Sequence, residues 1–157
     1  MDPRNLRLAS FNMHGFNNGE NTLQDLCHIA DVIVVQEHWL PPFNLHKLLS
    51  FNEDFDCLGW SAMQDKIQSG ILLGRPFGGL GLLVRKNLNV NISTVDVMPN
   101  CRCAAVKCVF ENNFTLLLFS VYFPCYSNSH EYKCELSDCL GFIEKCASTL
   151  CLKKKRH

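Results

Sequence analysis

No run of about 18 consecutive apolar residues, the length a membrane-spanning helix needs, occurs in this 157-residue chain. The opening Met-Asp-Pro-Arg-Asn lacks the apolar core of a signal peptide, so the expectation is an intracellular protein, nuclear or cytoplasmic and not secreted. A surplus of charge is also missing: 15 Lys and Arg balance 15 Asp and Glu. That excludes a global attraction to nucleic acid or anionic membrane and leaves only local patches. No internal repeat, low-complexity tract or domain boundary interrupts the sequence, whose length suits one domain. None of the ten cysteines forms a C-x-x-C pair. Cys101-x-Cys103-x4-Cys108 falls in an alternating stretch that points Cys101 and Cys103 one way and Cys108 the other. Structural zinc is the alternative reading, but four convergent ligands at the usual spacings are missing. Small buried hydrophobes in a reducing compartment, with no disulfide framework, are expected instead.

What is present is a core. Hydrophobic residues make up 47% of the chain, with 11 Phe, enough to bury about two-thirds of the unfolded surface. Residues 6–12 read as a first strand. Thr22 to Ala30 places Leu23, Leu26, Cys27 and Ala30 on one helical face. "DVIVVQE", Asp31 to Glu37, is a β-branched run suited to a strand buried on both sides. Strand, helix and strand in this space predict a parallel crossover unit. Pro41-Pro42 breaks the chain, and Asn44 is placed to cap a short helix through Leu49. Further strands are predicted over 81–85, in "VNISTVDV" and in "CRCAAVKCVF". Glu111-Asn112-Asn113 joins 103–110 to 114–122 as a hairpin. From about Asn128 to Leu150, Leu136, Cys139, Leu140, Ile143, Ala147 and Leu150 recur at helical spacing. Lys153-Lys154-Lys155-Arg156-His157 reads as a solvated tail able to touch phosphate.

Two neighbouring strands each end in an oxygen-bearing residue, Asn12 and Glu37. Ligands in α/β sheets gather outside the carboxyl ends of strands, so the two are placed to share a site. A carboxylate with an amide oxygen is a hard-cation pair suited to magnesium, which keeps several waters. Taken singly, Asn12 reads rather as a turn residue and Glu37 as an exposed strand end; it is their combination with "VVQEHWL" that points to a site. His14 reads as a turn residue, Trp39 as packing, and His38 as adjacent to the site without a catalytic role. Arg75, in the Gly-rich "GRPFGG", suits either a phosphate-facing loop or a structural salt bridge. Arg85 and Lys86 end a strand and read as solvated.

"LRLASFNMHG", "DVIVVQEHWL", "GGLGLLVRK" and "FSVYFP" occur in the order and spacing of the endonuclease/exonuclease/phosphatase superfamily. More closely, they resemble the N-terminal part of the endonuclease domain of non-LTR (LINE-type) retrotransposons, over about residues 6–143. The resemblance implies an α/β (α+β) fold: part of a DNase I-like four-layer sandwich of mixed β-sheets flanked by helices, its C-terminal half missing. It also implies magnesium as cofactor and DNA as partner. Asn12 resembles the family's active-site asparagine, Glu37 its metal-ligating glutamate, and Tyr122 the tyrosine that contacts the scissile phosphate. Without the other motifs, Tyr122 reads as a half-buried strand-end tyrosine.

The family's later G-D-x-N and Ser-Asp-His motifs do not occur. Ser137-Asp138-Cys139 imitates the second but lies within the predicted helix with Cys in place of His. Residues 146–157 diverge. The expectation is therefore a single truncated domain over 1–157 that binds divalent metal weakly and hydrolyses DNA negligibly alone. Open sheet edges and one bare apolar face should make it marginally stable or prone to aggregate. A non-catalytic binding module or non-functional fragment is the alternative from another class. A phosphatase or phospholipid phosphodiesterase is the alternative within the superfamily, since Asn12 and Glu37 do not discriminate.

Overall fold

The computed structural model describes residues 5–68 and 70–153. Strand β1 (Leu8–Asn12) leads through helix α1 (Phe16–Ile29) to β2 (Val32–Gln36), and the two strands pair in parallel. Alternation in "VIVVQ" sends Ile33 and Val35 towards α1, where they join Leu23, Cys27 and Phe16 in one apolar cluster. Val32 faces the opposite side with Leu82 and Val84. A strand apolar at four consecutive positions thus has two layers to bury, as expected for this segment.

α1 begins earlier than the sequence periodicity predicts, at Phe16, because Phe16 is itself buried against the sheet. The short α2 (His46–Leu49) follows a 3-10 turn over Pro42–Asn44. Asn44 does not cap it; the turn runs into the helix, and Leu45 occupies the cap position without a side-chain bond. Strand β3 (Phe55–Trp60) and a short pair, β4 (Ile67–Gln68) with β5 (Ile71–Leu72), lie where no strand is expected from the sequence. β6 (Leu80–Arg85) sits between β2 and β3, antiparallel to both, giving the order β1-β2-β6-β3.

The second sheet is the meander β7 (Val90–Val97), β8 (Cys103–Phe110) and β9 (Thr115–Val121). Its Val106, Cys108 and Phe110 pack against Val32, Leu82 and Val84 of the first sheet, so the sheets meet face to face. Helix α3 (His130–Lys153) contacts β8 on the outer side. Buried Cys139 and Cys146 lie there near the buried Cys103, whereas Cys108 points into the inter-sheet core. The opposite facing of Cys103 and Cys108 follows the strand alternation. Leu136, Cys139, Ile143, Cys146 and Ala147 form the inward stripe of α3, while Leu140 is 52% exposed, outside it. Ser137, Asp138 and Cys139 are helical, as anticipated. The basic run beyond Lys153 lies outside the described residues.

The layers are therefore helix, sheet, sheet, helix, and among the described residues helices pack on both outer faces, contrary to the bare apolar face expected from sequence. α1 and α2 pack on one side, and α3 packs on β8 on the other. What stays open is edges: among the described residues β1, β3, β7 and β9 each pair on one side only.

Arg85 corrects another expectation. Far from solvated, it is held at the end of β6, its Nη2 donating to the carbonyls of Cys27 and, at 2.9 Å, Ala30. Its guanidinium lies 4.6 Å over the Phe55 ring and its Nε 3.7 Å from the Asp31 carboxylate. Asp31 is 1% exposed and accepts from Arg7 Nε and the Arg7 backbone N–H at 3.0 Å and from Arg7 Nη2 at 2.7 Å. These charges tie the start of β2 to the chain entering β1 and to the end of β6. Lys86 does stay exposed, its Nζ donating to the Glu53 carbonyl.

Candidate functional site

β2 ends at Gln36, and the next three residues take an unusual path. Glu37 has φ 57° and Trp39 φ 55°, left-handed values that cost about 1 kcal/mol or more each outside glycine. Backbone hydrogen bonds on both sides impose this path. Glu37 N–H donates to the Gly79 carbonyl at 2.8 Å and Trp39 N–H to that of Gly78 at 2.9 Å. On the other side Gly15 N–H donates to Glu37 and Phe16 N–H to His38, both at 2.8 Å. The zigzag drives His38 inward and leaves Glu37 and Trp39 facing outward.

His38 is fully buried, its Nδ1 accepting from Leu40 N–H at 2.9 Å and its Nε2 lying 3.1 Å from the Trp60 carbonyl. That arrangement calls for the neutral ring with hydrogen on Nε2. Burial lowers its pKa to about 4, against the weaker pull of the carbonyl contacts. His38 is a neutral strut. Trp39 does more than pack: its Nε1–H donates to Glu37 Oε2 at 2.7 Å, and the His14 ring lies 5.0 Å from the indole. Trp39→Phe keeps an aromatic ring and removes this donor. It should lower stability by about 1 kcal/mol in urea unfolding; an unchanged midpoint would show that the bond holds nothing.

Asn12 ends β1 opposite Gln36 in the parallel register, one residue short of Glu37. It is exposed, and its Oδ1 accepts from His14 N–H at 3.1 Å, with His14 in the left-handed turn the sequence suggests. Tyr122 follows the last residue of β9, its N–H donating to the Arg102 carbonyl at 2.7 Å. Burial raises its pKa above the usual 10.0, helped by the Glu37 carboxylate and opposed by the Arg102 cation.

Glu37 and Tyr122 line one cavity of about 290 Å³, together with Asn100, Arg102 and Glu135. Asn12 stands at the neighbouring strand end and is not among its lining residues. Arg75 is exposed in the loop between β5 and β6, and it is Phe77 and Gly78 of that loop that reach the cavity. Arg102 and Glu135 were invisible in the sequence: the first looks like a spacer between two cysteines, the second like a solvated helix position. They pair here, Arg102 Nη2 to Glu135 Oε2 at 2.8 Å. No group of three or more His, Cys, Asp or Glu arranged for a metal is found among the described residues, and no described helix is long and apolar enough to cross a membrane.

No family model and no curated protein matches this chain. Solved structures do. The 3′-5′ exonuclease NExo from Neisseria meningitidis superposes with a TM-score of 0.58 at 13% identity, covering 97% of this chain and 54% of its own. A Neisseria NExo structure described as a 3′ phosphatase bound to product DNA hairpin gives 0.59 at 14%, with the same coverage. The catalytic domain of Xenopus laevis APE2 gives 0.53 at 17%, covering 86% of this chain and 52% of that one. The endonuclease domain of TRAS1, a telomere-specific non-LTR retrotransposon, reaches only 0.46 at 11%, covering 85% and 51%, too distant to single out the retrotransposon branch. The chain spans about half the length of each. Its fold is DNase I-like, the fold that the NExo and APE2 structures share.

Proposed function

We propose that this chain supplies one wall of a divalent-metal-dependent phosphodiesterase site that acts on DNA. The observation that carries the reading is the meeting of Glu37 and Tyr122, far apart in sequence, in one cavity at the ends of β2 and β9. The residues fit a hard cation. Trp39 occupies Glu37 Oε2 and leaves Oε1 for a ligand, on the side of Gly78, where an added Cβ would meet Ala62 at 2.7 Å and Oε1 at 4.0 Å. One carboxylate with a nearby amide oxygen, from Asn12, suits magnesium, which retains most of its waters. When bound, the cation would stabilise charge on a phosphate oxygen or leaving group.

Tyr122 keeps its proton at neutral pH, because burial and Glu37 both raise its pKa, so its phenol is a hydrogen-bond donor to a phosphate oxygen. Neutral His38, bonded on both nitrogens, is not available as a base. Among the described residues the second acid lining the cavity, Glu135, is paired with Arg102, and the G-D-x-N and Ser-Asp-His motifs do not occur in the sequence. The 157 residues alone should therefore hydrolyse DNA negligibly. DNA as substrate is supported by the solved NExo bound to a DNA hairpin, and an intracellular location fits it. Descent from a retrotransposon nicking endonuclease is supported by the closeness of "QEHWL" and "GRPFGG" to those sequences.

The test is a magnesium titration by calorimetry alongside a plasmid-nicking assay. Glu37→Gln should weaken magnesium binding at least tenfold, about 1.4 kcal/mol. Equal affinity in the variant would end the metal role, and magnesium-dependent nicking lost in Glu37→Ala would overturn the claim of inactivity.

A further inference from the structure

The cavity that joins Glu37 to Tyr122 contains two carboxylates, Glu37 and Glu135, and among the described residues Arg102 is the only basic one lining it. A phosphate entering such a space meets net negative charge unless a cation offsets it. Arg102 is built into the right place. It precedes β8, and its carbonyl receives the Tyr122 N–H at 2.7 Å, which holds the two residues side by side across the strand ends. Its own N–H donates to Asn100 Oδ1 at 3.1 Å, which fixes the turn that presents it.

We propose that Arg102 is the phosphate-binding cation of this cavity and that Glu135 is its resident counter-ion, displaced when a nucleic-acid phosphate enters beside Tyr122. The inference rests on the phosphodiesterase reading and adds to it the group that receives the phosphate. The pair is suited to exchange. Arg102 is 24% exposed and Glu135 33%, so water screens their attraction, and pairs of this kind contribute about 0–1 kcal/mol. The bond to Glu135 uses Nη2 alone of the five N–H donors a guanidinium carries. A phosphate offers bidentate geometry and greater charge, and competes well against one partly exposed carboxylate.

The same residues continue outward. A second cavity of about 270 Å³ is also lined by Arg102, Tyr122 and Glu135, together with Ser127, Ser129 and a further acid, Glu131. Arg102 and Tyr122 thus form the wall shared by two adjoining spaces, as a backbone with successive phosphates would require.

Inorganic phosphate is the probe, titrated without divalent metal and followed by NMR at the Arg102 Nε resonance and by phosphorus shifts. Glu135→Gln should tighten phosphate binding roughly 3- to 10-fold, because it frees the guanidinium. Arg102→Gln should weaken it roughly 10-fold. A purely structural salt bridge makes the opposite forecast: both variants lose similar stability and neither changes phosphate affinity. That result would overturn the proposal. Should Arg102→Gln fail to fold, Glu135→Gln decides alone, since unchanged or weaker binding in it contradicts a displaceable counter-ion. The absence of metal separates this test from that of the functional reading. Normal magnesium binding at Glu37 with phosphate affinity indifferent to residues 102 and 135 would sink Arg102 only. The reverse pattern would leave an anion site and remove the metal.

Discussion

Gly79→Ala should destabilise the protein by about 4 kcal/mol and lower its Tm by about 10 °C. The chain passes Gly79 at φ 95°, where a Cβ costs about 1–2 kcal/mol. The added carbon would also stand 2.5 Å from His38 Nε2 and 2.8 Å from Nδ1, and closer still to Cε1. His38 cannot swing away, because Leu40 and Trp60 hold both nitrogens in a fully buried pocket. Overpacking of this kind costs about 1–3 kcal/mol, and a displaced imidazole leaves buried polar groups unpaired for a similar amount. Each kcal/mol corresponds to about 2–4 °C in a domain of this size. Calorimetry checks the shift. The double variant Gly79→Ala with His38→Ala should lose less than the two single losses added together, because the clash vanishes with the ring. Strict additivity would show that the ring and the glycine are not in contact. The consequence reaches the site, since Gly79 receives the Glu37 N–H and Gly78 that of Trp39.

Asp31→Asn should cost about 2 kcal/mol at neutral pH in urea unfolding. The substitution preserves shape and removes the charge that faces Arg7 and Arg85. Breaking a buried pair costs about 3–5 kcal/mol, and the smaller figure reflects Arg7, whose side chain is 56% exposed. The hydrogen bonds from Arg7 hold the Asp31 carboxyl below the ordinary 3.8, with burial opposing and the Arg85 charge adding to the effect. A folded pKa below the unfolded one means that the unfolded state binds the proton first as pH falls. The stabilisation is therefore complete above the unfolded value, near 4, and is lost as pH drops from there through the folded value. The gap between wild type and Asp31→Asn should stay constant at neutral pH and close in strong acid. A gap that persists unchanged in acid would mean that charge was not its source.

The contrast between these residues shows what a sequence exposes. β2 could be recognised because "VIVVQ" is apolar at each of four consecutive positions, a pattern only a two-sided burial satisfies. The α3 stripe was readable for the corresponding reason, periodicity at 3.6. β3 escaped notice although Phe55, Asp56 and Cys57 alternate buried, exposed and half-buried. Its run is short and contains Asp and Gly, so local preference argues against a strand; pairing with β6 along its full length overrides that. Arg85 was misjudged because a charged residue at a strand end has no local sign of the carbonyls of Cys27 and Ala30 that receive it.

The amino-acid pattern by itself determined the parallel pairing of β1 with β2 and the hairpin of β8 with β9, while the motif resemblance implied the layered α/β architecture and singled out Asn12, Glu37 and Tyr122. Those follow from periodicities and motifs, which are local and survive in one dimension. Only the tertiary structure decided that Glu37 and Tyr122 share a cavity while Asn12 stands beside it. It alone bonded Trp39 to the Glu37 carboxylate and set Arg102 and Glu135 against each other. The physical reason is that a hydrogen bond or ion pair depends on distances of a few ångströms between groups whose sequence separation the folded chain erases.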